Sequence, residues 1–359
     1  MISRARHGLR RIIGNLRRAR PTFGRLRERL RWAALRLTVR HVHGPRRIAC
    51  GGEEVIAICV VRNGELHVRS FLEHHFTLGV KHVILLLNDS TDGTAAIAAA
   101  YPNVTLLRTS RSYAHYENLM KRYLVRRFSM GRWSLCVDID ELFDYPRSGD
   151  VPLRAILAYL DRRQYTAVVA QMLDMFADGP LASVRSQPAD RLRDAYTFYD
   201  VSAIRKTDYI YSRLANPQVR MHWGGIREQV FGTNNGLSKA CLVKIAPDIG
   251  LFVDWHHVTG ATVADFTAVL LHYPFVETFA TKVAEAVATG RYGTYTTREY
   301  NRYRDGLRQA KEIILRQQSA RLLTDTNELL DDGFLVAGPA FIAWRQRYLA
   351  TKPDPQSQR

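Results

Sequence analysis

Between residues 53 and 145 the chain alternates short apolar runs with amphipathic stretches, and this alternation restricts the possible folds more than any other feature. The apolar runs are Val55–Val61, Val80–Leu87, Val104–Leu107 and Trp133–Val137, and the amphipathic stretches are Glu65–Leu78, Thr91–Ala100 and Tyr113–Phe128. Strands that alternate with helices at this spacing predict right-handed crossovers between parallel strands. We therefore expect an α/β protein whose Rossmann-like, mainly parallel sheet is flanked by helices.

The overall composition excludes several classes of protein. Of the 359 residues, 46% are hydrophobic and 24% charged, with a mean hydropathy of −0.22, which is typical of a folded globular chain. No apolar run approaches the roughly 20 residues that span a bilayer. The four cysteines lie far apart without a CxxC pair, so the sequence predicts a reduced cytoplasmic protein with neither structural disulfides nor a zinc module.

The positive charge is concentrated at the start of the chain. Residues 1–50 contain fifteen arginines, no lysine and one acidic residue, so they carry +14 of the net charge of +18. Within this segment, apolar residues recur at spacings of three and four, as on one face of a helix: Leu9, Ile12, Leu16, Ala19, Phe23, Leu26, Leu30, Ala33 and Leu37. Pro21 is expected to divide the stripe into two helices.

Three interpretations of this basic amphipathic arm remain open. It can lie on an anionic membrane, bind nucleic acid, or pack against the rest of the protein. We favour a peripheral contact of residues 1–45 with the inner face of the plasma membrane. Nucleic acid is the least favoured partner, because without this arm the charge of the chain is ordinary.

Polar clusters follow three of the predicted strands. They are Arg62-Asn63-Gly64-Glu65, the segment 88–94 (NDSTDGT) and Asp138-Ile139-Asp140-Glu141. Because a parallel sheet binds its ligands at the carboxyl ends of its strands, these clusters are expected to meet at one edge. None of them matches the glycine-rich loops of dinucleotide-binding or P-loop proteins.

The acidic cluster carries the most chemical information. Asp138 and Asp140 are two residues apart and would repel each other unless a cation lay between them. A hard divalent ion such as Mg²⁺ or Mn²⁺ binds one or two carboxylates and keeps positions for phosphate oxygens. The alternative is a solvent-facing acidic start of a helix, where carboxylates are also favoured.

The run VVRNGELHVRSFLEHHFTLGVKHVILLLNDSTDGT, followed by DIDELF, resembles nucleotide-sugar glycosyltransferases of the GT-A fold. The nearest resemblance is to family 2 and its family-92-like branch, over residues 54–145 and more loosely to about residue 285. It implies transfer of a sugar from a nucleoside-diphosphate donor, with a UDP-sugar expected, to a glycan or glycolipid hydroxyl. Such enzymes serve surface polysaccharide or glycolipid synthesis and use Mn²⁺ or Mg²⁺ on the diphosphate.

The resemblance also implies roles for individual residues of the nucleotide site. Asp140 would bind the metal, and Asp138 the metal or the ribose. The nucleotide pocket would further be bordered by Arg62, Asn63, Glu65, Asn88 and Arg227. Asn88 would reach the base or ribose. The chain departs from the family pattern at Leu87, where an acidic residue is usual, so the contact to the base is expected to be made differently or by Asn88 alone.

Two further roles are assigned less directly. His272, after the apolar run Leu270-Leu271, resembles a family histidine that binds the metal, and His256 and His257 compete for this role. For an inverting transfer the catalytic base is expected to be a carboxylate. Glu228 is the first candidate and Asp174, at the end of a predicted strand, the second.

The sequence predicts three segments and leaves a second function open. Residues 1–50 form the arm, residues 51–285 the GT-A domain, with a nucleotide-binding half to residue 145 and an acceptor half from 146, and residues 286–359 a helical extension and tail. The alternative function is a non-catalytic GT-A-like binding protein whose arm contacts nucleic acid or an acidic partner. A nucleotidyltransferase is disfavoured, because no glycine-rich phosphate loop follows the first strand.

Overall fold

A computed structural model describes residues 26–183, 191–252 and 256–351. The first half of the predicted arm, part of the Gly-Pro-Ser-containing stretch between Phe176 and Arg193, and the C-terminal tail lie outside the described residues.

Strands and helices alternate along the first half of the chain, as the apolar pattern predicts. The strands are β1 (Arg40–His43), β2 (Val55–Val61), β3 (His82–Asn88), β4 (Val104–Thr109), β5 (Trp133–Cys136), β6 (Glu141–Asp144), β7 (Ala167–Asp174), β8 (Phe198–Tyr199), β9 (Ile204–Asp208), β10 (Arg213–Leu214), β11 (Arg220–Gly224), β12 (Ser238–Lys244), β13 (Thr262–Val263), β14 (Ala268–His272) and β15 (Arg321–Leu322). The helices are α1 (26–38), α2 (Glu65–Leu78), α3 (Thr94–Ala99), α4 (Tyr113–Phe128), α5 (Leu153–Arg162), α6 (Leu192–Ala195), α7 (Ile226–Phe231), α8 (Phe279–Thr289), α9 (Thr294–Gln309), α10 (Glu328–Asp331) and α11 (Pro339–Ala350).

Within the described ranges, eleven strands form one central sheet in the order β1-β4-β3-β2-β5-β12-β7-β13-β10, and β14 joins β7 to β6 at one side. Strands β2 to β5 are mutually parallel, as are β7, β13 and β14. The antiparallel partners are β1 on β4, β12 between β5 and β7, and β6 on β14. The expectation of a mixed α/β chain with a mainly parallel sheet is therefore confirmed.

Burial on both faces explains why the central strands are continuously apolar. Every residue of β2 is buried, and alternate residues belong to two separate hydrophobic cores, one on each face of the sheet. The helices that cover these faces are amphipathic. Helix α2 ends at Gly79, whose φ of 103° is a left-handed conformation that glycine adopts without strain.

The second half of the predicted arm is part of this α/β body. Leu35 of α1 is fully buried, and Trp32 packs edge-on against Tyr123 of α4 with ring centroids 6.1 Å apart. Strand β1 then pairs with β4 at the edge of the sheet. The structure therefore favours the third interpretation of the arm, packing against the protein, for residues 26–43.

The predicted C-terminal extension is also integrated. The boundary expected at residue 285 falls inside α8, and α8 and α9 lie at the carboxyl edge of the sheet, where both contribute to a cavity. Helix α11 returns to the core and stacks Phe341 on Phe266 with centroids 4.0 Å apart. None of the helices in the described ranges is long and apolar enough to cross a membrane.

Candidate functional site

A cavity of about 860 Å³ lies where β2, β3 and β5 end. The chain runs from β2 through β3 to β4 on one side, and β5 then pairs with the other side of β2. Open α/β sheets bind ligands at such a reversal of strand order, because the flanking turns diverge and leave a crevice. The volume is within the range of small-molecule sites.

The cavity brings together most of the residues that the sequence singles out. Its lining includes the turns after all three strands and part of the later chain, and the predicted residues among them are Arg62, Asn63, Glu65, Asn88, Asp138, Asp140, Arg227 and His272. His256 and His257 also reach the lining. Asp174 lies just behind the wall, bonded to His272 and Arg227, whereas Glu228 lies outside the lining.

The turns after β2 and β3 are locked together by hydrogen bonds. Asn63 adopts a left-handed φ of 50°, and its side-chain oxygen accepts from the Thr91 amide at 2.9 Å. The Glu65 amide donates to Asp92, while the Glu65 carboxylate accepts from the Gly93 amide, both at 2.9 Å. Asn63 and Glu65 therefore shape the rim of the cavity through bonds that they make within the protein.

Asn88 and Arg62 are likewise engaged. The Asn88 amide donates to the carbonyls of Thr109 and Arg111 at 3.1 and 2.9 Å, which fixes the turn between β4 and α4. Arg62 forms an ion pair with Glu285 of α8 at 2.6 Å. This ion pair joins the sheet side of the cavity to its helical side.

A buried cluster of two acids and two lysines lies at the end of β5. Lys239 of β12 donates to Asp138 Oδ2 at 2.9 Å and to Glu141 at 2.6 Å, and only 3% of its side chain is exposed. Lys121 of α4 faces Asp138 Oδ1 at 3.4 Å. That oxygen is buried and accepts no hydrogen bond among the described residues. Both oxygens of Asp138 thus face buried lysines, Oδ2 in a hydrogen bond and Oδ1 in an ion pair.

Burial and neighbouring charge set the protonation of this cluster. Burial alone raises the pKa of Asp138, but Lys121 and Lys239 outweigh it and hold the pKa well below its ordinary value. Burial also raises the pKa of Glu141, and there Lys239 offsets it only in part. The pKa of Lys239 lies well above its usual range, because both carboxylates outweigh the effect of burial. Asp138 is therefore anionic and Lys239 cationic near neutral pH.

Asp140 faces a histidine and a third lysine. His272 Nε2 is 3.8 Å from Asp140 Oδ2, and Lys282 Nζ of α8 is 3.1 Å from the same oxygen. Burial raises the pKa of Asp140, but Lys282, His272 and His67 together keep it well below its ordinary value. Asp140 is therefore a largely buried negative charge at the cavity wall, which faces an imidazole and a partly exposed ammonium group.

His272 is held in place by a second carboxylate. Its Nδ1 is 2.6 Å from Asp174 Oδ1, and Asp174 Oδ2 accepts from Arg227 Nε at 2.8 Å. Arg227 in turn reaches Glu299 of α9 at 3.4 Å. Burial raises the pKa of Asp174, but Arg227 and His272 bring it below its ordinary value. A continuous chain of polar side chains thus runs from Asp140 through His272, Asp174 and Arg227 to Glu299.

This arrangement fits a divalent cation held by two protein ligands. With metal–ligand distances of roughly 2.1 Å, two ligands of one ion are at most about 4.2 Å apart, and the 3.8 Å between Asp140 and His272 lies within that limit. A histidine whose other ring nitrogen binds a carboxylate is the usual form of a metal-ligating histidine. No cluster of three or more His, Cys, Asp or Glu side chains suited to a metal occurs in the described ranges, so further ligands would be water or substrate oxygens.

The charge of the cavity wall also favours a cation. Among the described residues, nine carboxylates line the cavity but only four Arg or Lys side chains do. Lys121 and Lys239 lie behind this lining. Even when these two lysines are counted, the carboxylates outnumber the positive side chains. A diphosphate group would be repelled by such a wall unless a cation accompanied it.

Glu228 occupies a different place from the one expected of a catalytic base. It follows the turn at Gly224 and Gly225, whose φ values of 87° and 69° require glycine. Its carboxylate accepts two hydrogen bonds from Arg205, at 3.1 and 2.8 Å, at the surface. Glu299 reaches the cavity in its stead, where it also accepts from Tyr303.

The sequence interpretation missed the residues that α8, α9 and the turn between them bring to the cavity. They are mainly charged and aromatic: Lys282, Glu285, Arg291, Tyr292, Tyr295, Glu299, Tyr300 and Tyr303. Tyr292 stacks on Tyr300 with centroids 4.8 Å apart. Lys121 and Lys239 were also missed as members of the acidic cluster, although each is a lysine within an otherwise buried stretch, which is a readable signal.

No protein-family model matches the chain, and no curated protein matches it. Partial likenesses to solved structures occur. The fragment 1–349 of S. aureus TarS superposes with a TM-score of 0.26 and 15% identity, over 44% of this chain and 42% of that one. A 4-diphosphocytidyl-2C-methyl-D-erythritol synthase superposes with a TM-score of 0.22 and 11% identity, over 35% of this chain and 63% of that one. The chain thus spans less than two thirds of either structure, and scores this low do not establish a shared fold.

Proposed function

We propose that the cavity is the active site of a metal-dependent glycosyltransferase of the GT-A type, which moves a sugar from a nucleoside-diphosphate donor to an acceptor hydroxyl. The observation that carries the proposal is the approach of Asp140 to His272 in a cavity whose wall otherwise has too much negative charge to accept a diphosphate alone. The resemblance of the segments around residues 62, 88 and 140 to such enzymes supports it, and a UDP-sugar is the donor that it favours.

Asp140 and His272 would hold Mn²⁺ or Mg²⁺ together with phosphate oxygens and water. The bound ion would supply Lewis-acid stabilisation of the charge that develops on the leaving diphosphate. Asp174 would fix the ring of His272, because its carboxylate accepts from Nδ1 and leaves Nε2 directed at Asp140. Lys282, with 38% of its side chain exposed, is flexible enough to donate to phosphate oxygens as well as to Asp140.

Asp138 would bind the donor and not the metal. Its Oδ2 is bonded to Lys239 and its buried Oδ1 faces Lys121 at 3.4 Å, while 28% of the side chain remains exposed. A ribose hydroxyl would donate to the exposed part of this carboxylate, whose negative charge the two lysines already balance. This assignment selects the ribose from the two roles that the resemblance allows for Asp138.

The acceptor hydroxyl must lose its proton during an inverting transfer. We propose Glu299 as the base in place of Glu228, because Glu299 lines the cavity and Glu228 is held at the surface by Arg205. We assign Asp174 a positioning role instead, because Arg227 and His272 each bond to one of its two buried oxygens. Tyr292 and Tyr300, which stack on each other at the cavity, would offer aromatic faces to a glycan or glycolipid acceptor.

Release of nucleoside diphosphate from a panel of sugar nucleotides with Mn²⁺ tests the function. Asp140→Asn should lower release by about 100-fold or more, because it removes a charge that acts on the developing transition state. Asp150→Asn is the matched control, since Asp150 is a half-exposed carboxylate that pairs with Arg147 and does not line the cavity. If the wild type never exceeds Asp140→Asn with any donor, the non-catalytic binding protein becomes the better account.

A further inference from the structure

Helix α1 turns an apolar stripe toward solvent. Leu26, Leu30 and Leu37 are 53%, 63% and 87% exposed, and Ala33 between them is also exposed. At about 100° of rotation per residue, these four positions fall within an arc of about 60° on one side of the helix. They form the outward stripe, the end of the longer apolar pattern that begins at Leu9.

Packing on the opposite side fixes the orientation of this stripe. Leu35, about half a turn away around the helix, is fully buried, and Trp32 contacts Tyr123. Glu28 accepts from Arg122 at 2.7 Å, and the Thr38 hydroxyl accepts from Arg111 at 3.3 Å. These contacts hold α1 against α4 and the turn before it. A rotation of α1 that buried the outward stripe would break them.

Arginines flank the outward stripe on both sides. Arg27 lies on one side and Arg29 and Arg36 on the other, all three are exposed, and none has an ion-pair partner among the described residues. The sequence before them, residues 1–25, adds eight arginines and no acidic residue. The surface therefore combines apolar side chains with a positive charge that its neighbours leave uncompensated.

We propose that the outward stripe of α1 docks on an anionic lipid bilayer surface. Leucines would enter the boundary between headgroups and acyl chains while the arginines contact anionic headgroups, as in interfacial amphipathic helices. A second copy of the surface would bring arginines against arginines, and residues 1–25 would do the same. Nucleic acid would satisfy the arginines but leave the leucines in water. The docking is independent of the proposed sugar transfer.

Co-sedimentation of the full-length protein with vesicles tests this docking. Phosphatidylcholine vesicles are compared with vesicles that also contain phosphatidylglycerol. The double variant Leu30→Glu/Leu37→Glu should bind the anionic vesicles at least about tenfold more weakly, because it replaces two apolar anchors by charges of the lipid's own sign. Ile210→Glu is the matched control: Ile210 is 79% exposed elsewhere on the surface, and its variant should bind as the wild type does.

Substitutions of the arginines test the electrostatic part of the vesicle binding. Replacing Arg27, Arg29 or Arg36 by Gln should weaken binding by about fivefold for each arginine and reduce the dependence on salt. Binding that is equal on neutral and anionic vesicles, or unchanged in Leu30→Glu/Leu37→Glu, overturns the proposal. So does a loss of vesicle binding by the Ile210→Glu control equal to that of the leucine variant.

Discussion

The two walls of the cavity hold their charged side chains differently. On the sheet wall, Lys239 is 3% exposed and lies between two carboxylates, Asp138 of the turn after β5 and Glu141 at the start of β6. On the helical wall, Lys282 and Glu285 of α8 are each 38% exposed and reach across to Asp140 and Arg62. The buried charges of the sheet wall cannot separate without leaving an ion in a low-dielectric interior, whereas those of α8 can exchange their partners for water or ligand.

Because of this difference, the two walls of the cavity are suited to different tasks. The sheet wall presents Asp138 and His272 in a fixed arrangement, since Lys121 and Lys239 hold the first and Asp174 holds the second. The helical wall supplies groups that can change partners when a ligand enters, Lys282 among them. A preorganised wall opposite an adaptable one is what a diphosphate site requires, because the ion must be positioned while the substrate must enter and leave.

The largest expected difference between the walls lies in stability. Lys239→Met should lower the free energy of unfolding by about 3–5 kcal/mol, because it leaves two buried carboxylates with one cation. Lys282→Met should lower it by less than about 1 kcal/mol, since a partly exposed ion pair is screened by water. Urea unfolding of both variants measures the comparison, and equal losses would mean that the walls do not differ.

Glu299 and Glu228 differ in their access to the cavity, because only Glu299 lines it. Glu299→Gln should lower kcat by about 100-fold, because an amide cannot take the proton of the acceptor hydroxyl, while Glu228→Gln should behave as the wild type. Glu299→Asp separates this role from a structural one, because it disturbs the contact with Arg227 but keeps a carboxylate, and it should therefore retain more activity than Glu299→Gln. Normal activity of Glu299→Gln with an impaired Glu228→Gln would return the base to Glu228.

A smaller effect, on metal affinity, is expected for Asp174, which lies behind the sheet wall of the cavity. Asp174→Asn should weaken the apparent affinity for Mn²⁺ by about tenfold, because the amide no longer orients His272 as a carboxylate does. If Asp174 acts through His272, the double variant with His272→Ala should be no weaker than His272→Ala alone. Additive losses in Mn²⁺ titrations would show that Asp174 acts independently of the histidine.

The sheet wall was predictable from the sequence because a local sequence pattern marks each of its strands and turns. Continuous apolar runs mark β2, β3 and β5, and the polar residues directly after them, including Asn88 and Asp138, must meet at the carboxyl edge of a parallel sheet. The end of α2 at Gly79 and the bounds of α4 follow from the same local patterns.

The helical wall was not predictable in this way. Helix α8 is amphipathic and α9 is polar, and nothing in their own sequence indicates where they return to the sheet. The interactions that decide it join residues far apart in the chain, such as Phe279 and Tyr303, which both pack on Phe231. For the same reason Glu228 was preferred over Glu299, since its neighbouring glycines form a local pattern whereas Glu299 lacks one.

Metal-dependent nucleotide binding tests the central claim most directly. Melting temperatures are measured with a panel of nucleoside diphosphates, with Mn²⁺ and with both, for the wild type and Asp140→Asn. Because ligands that bind the native state raise the melting temperature, one nucleotide should stabilise the wild type by several degrees more with Mn²⁺ than the two separate shifts together. Asp140→Asn should lose this excess. If no nucleotide shows the excess, or if Asp140→Asn keeps it, the ion is not held where Asp140 faces His272.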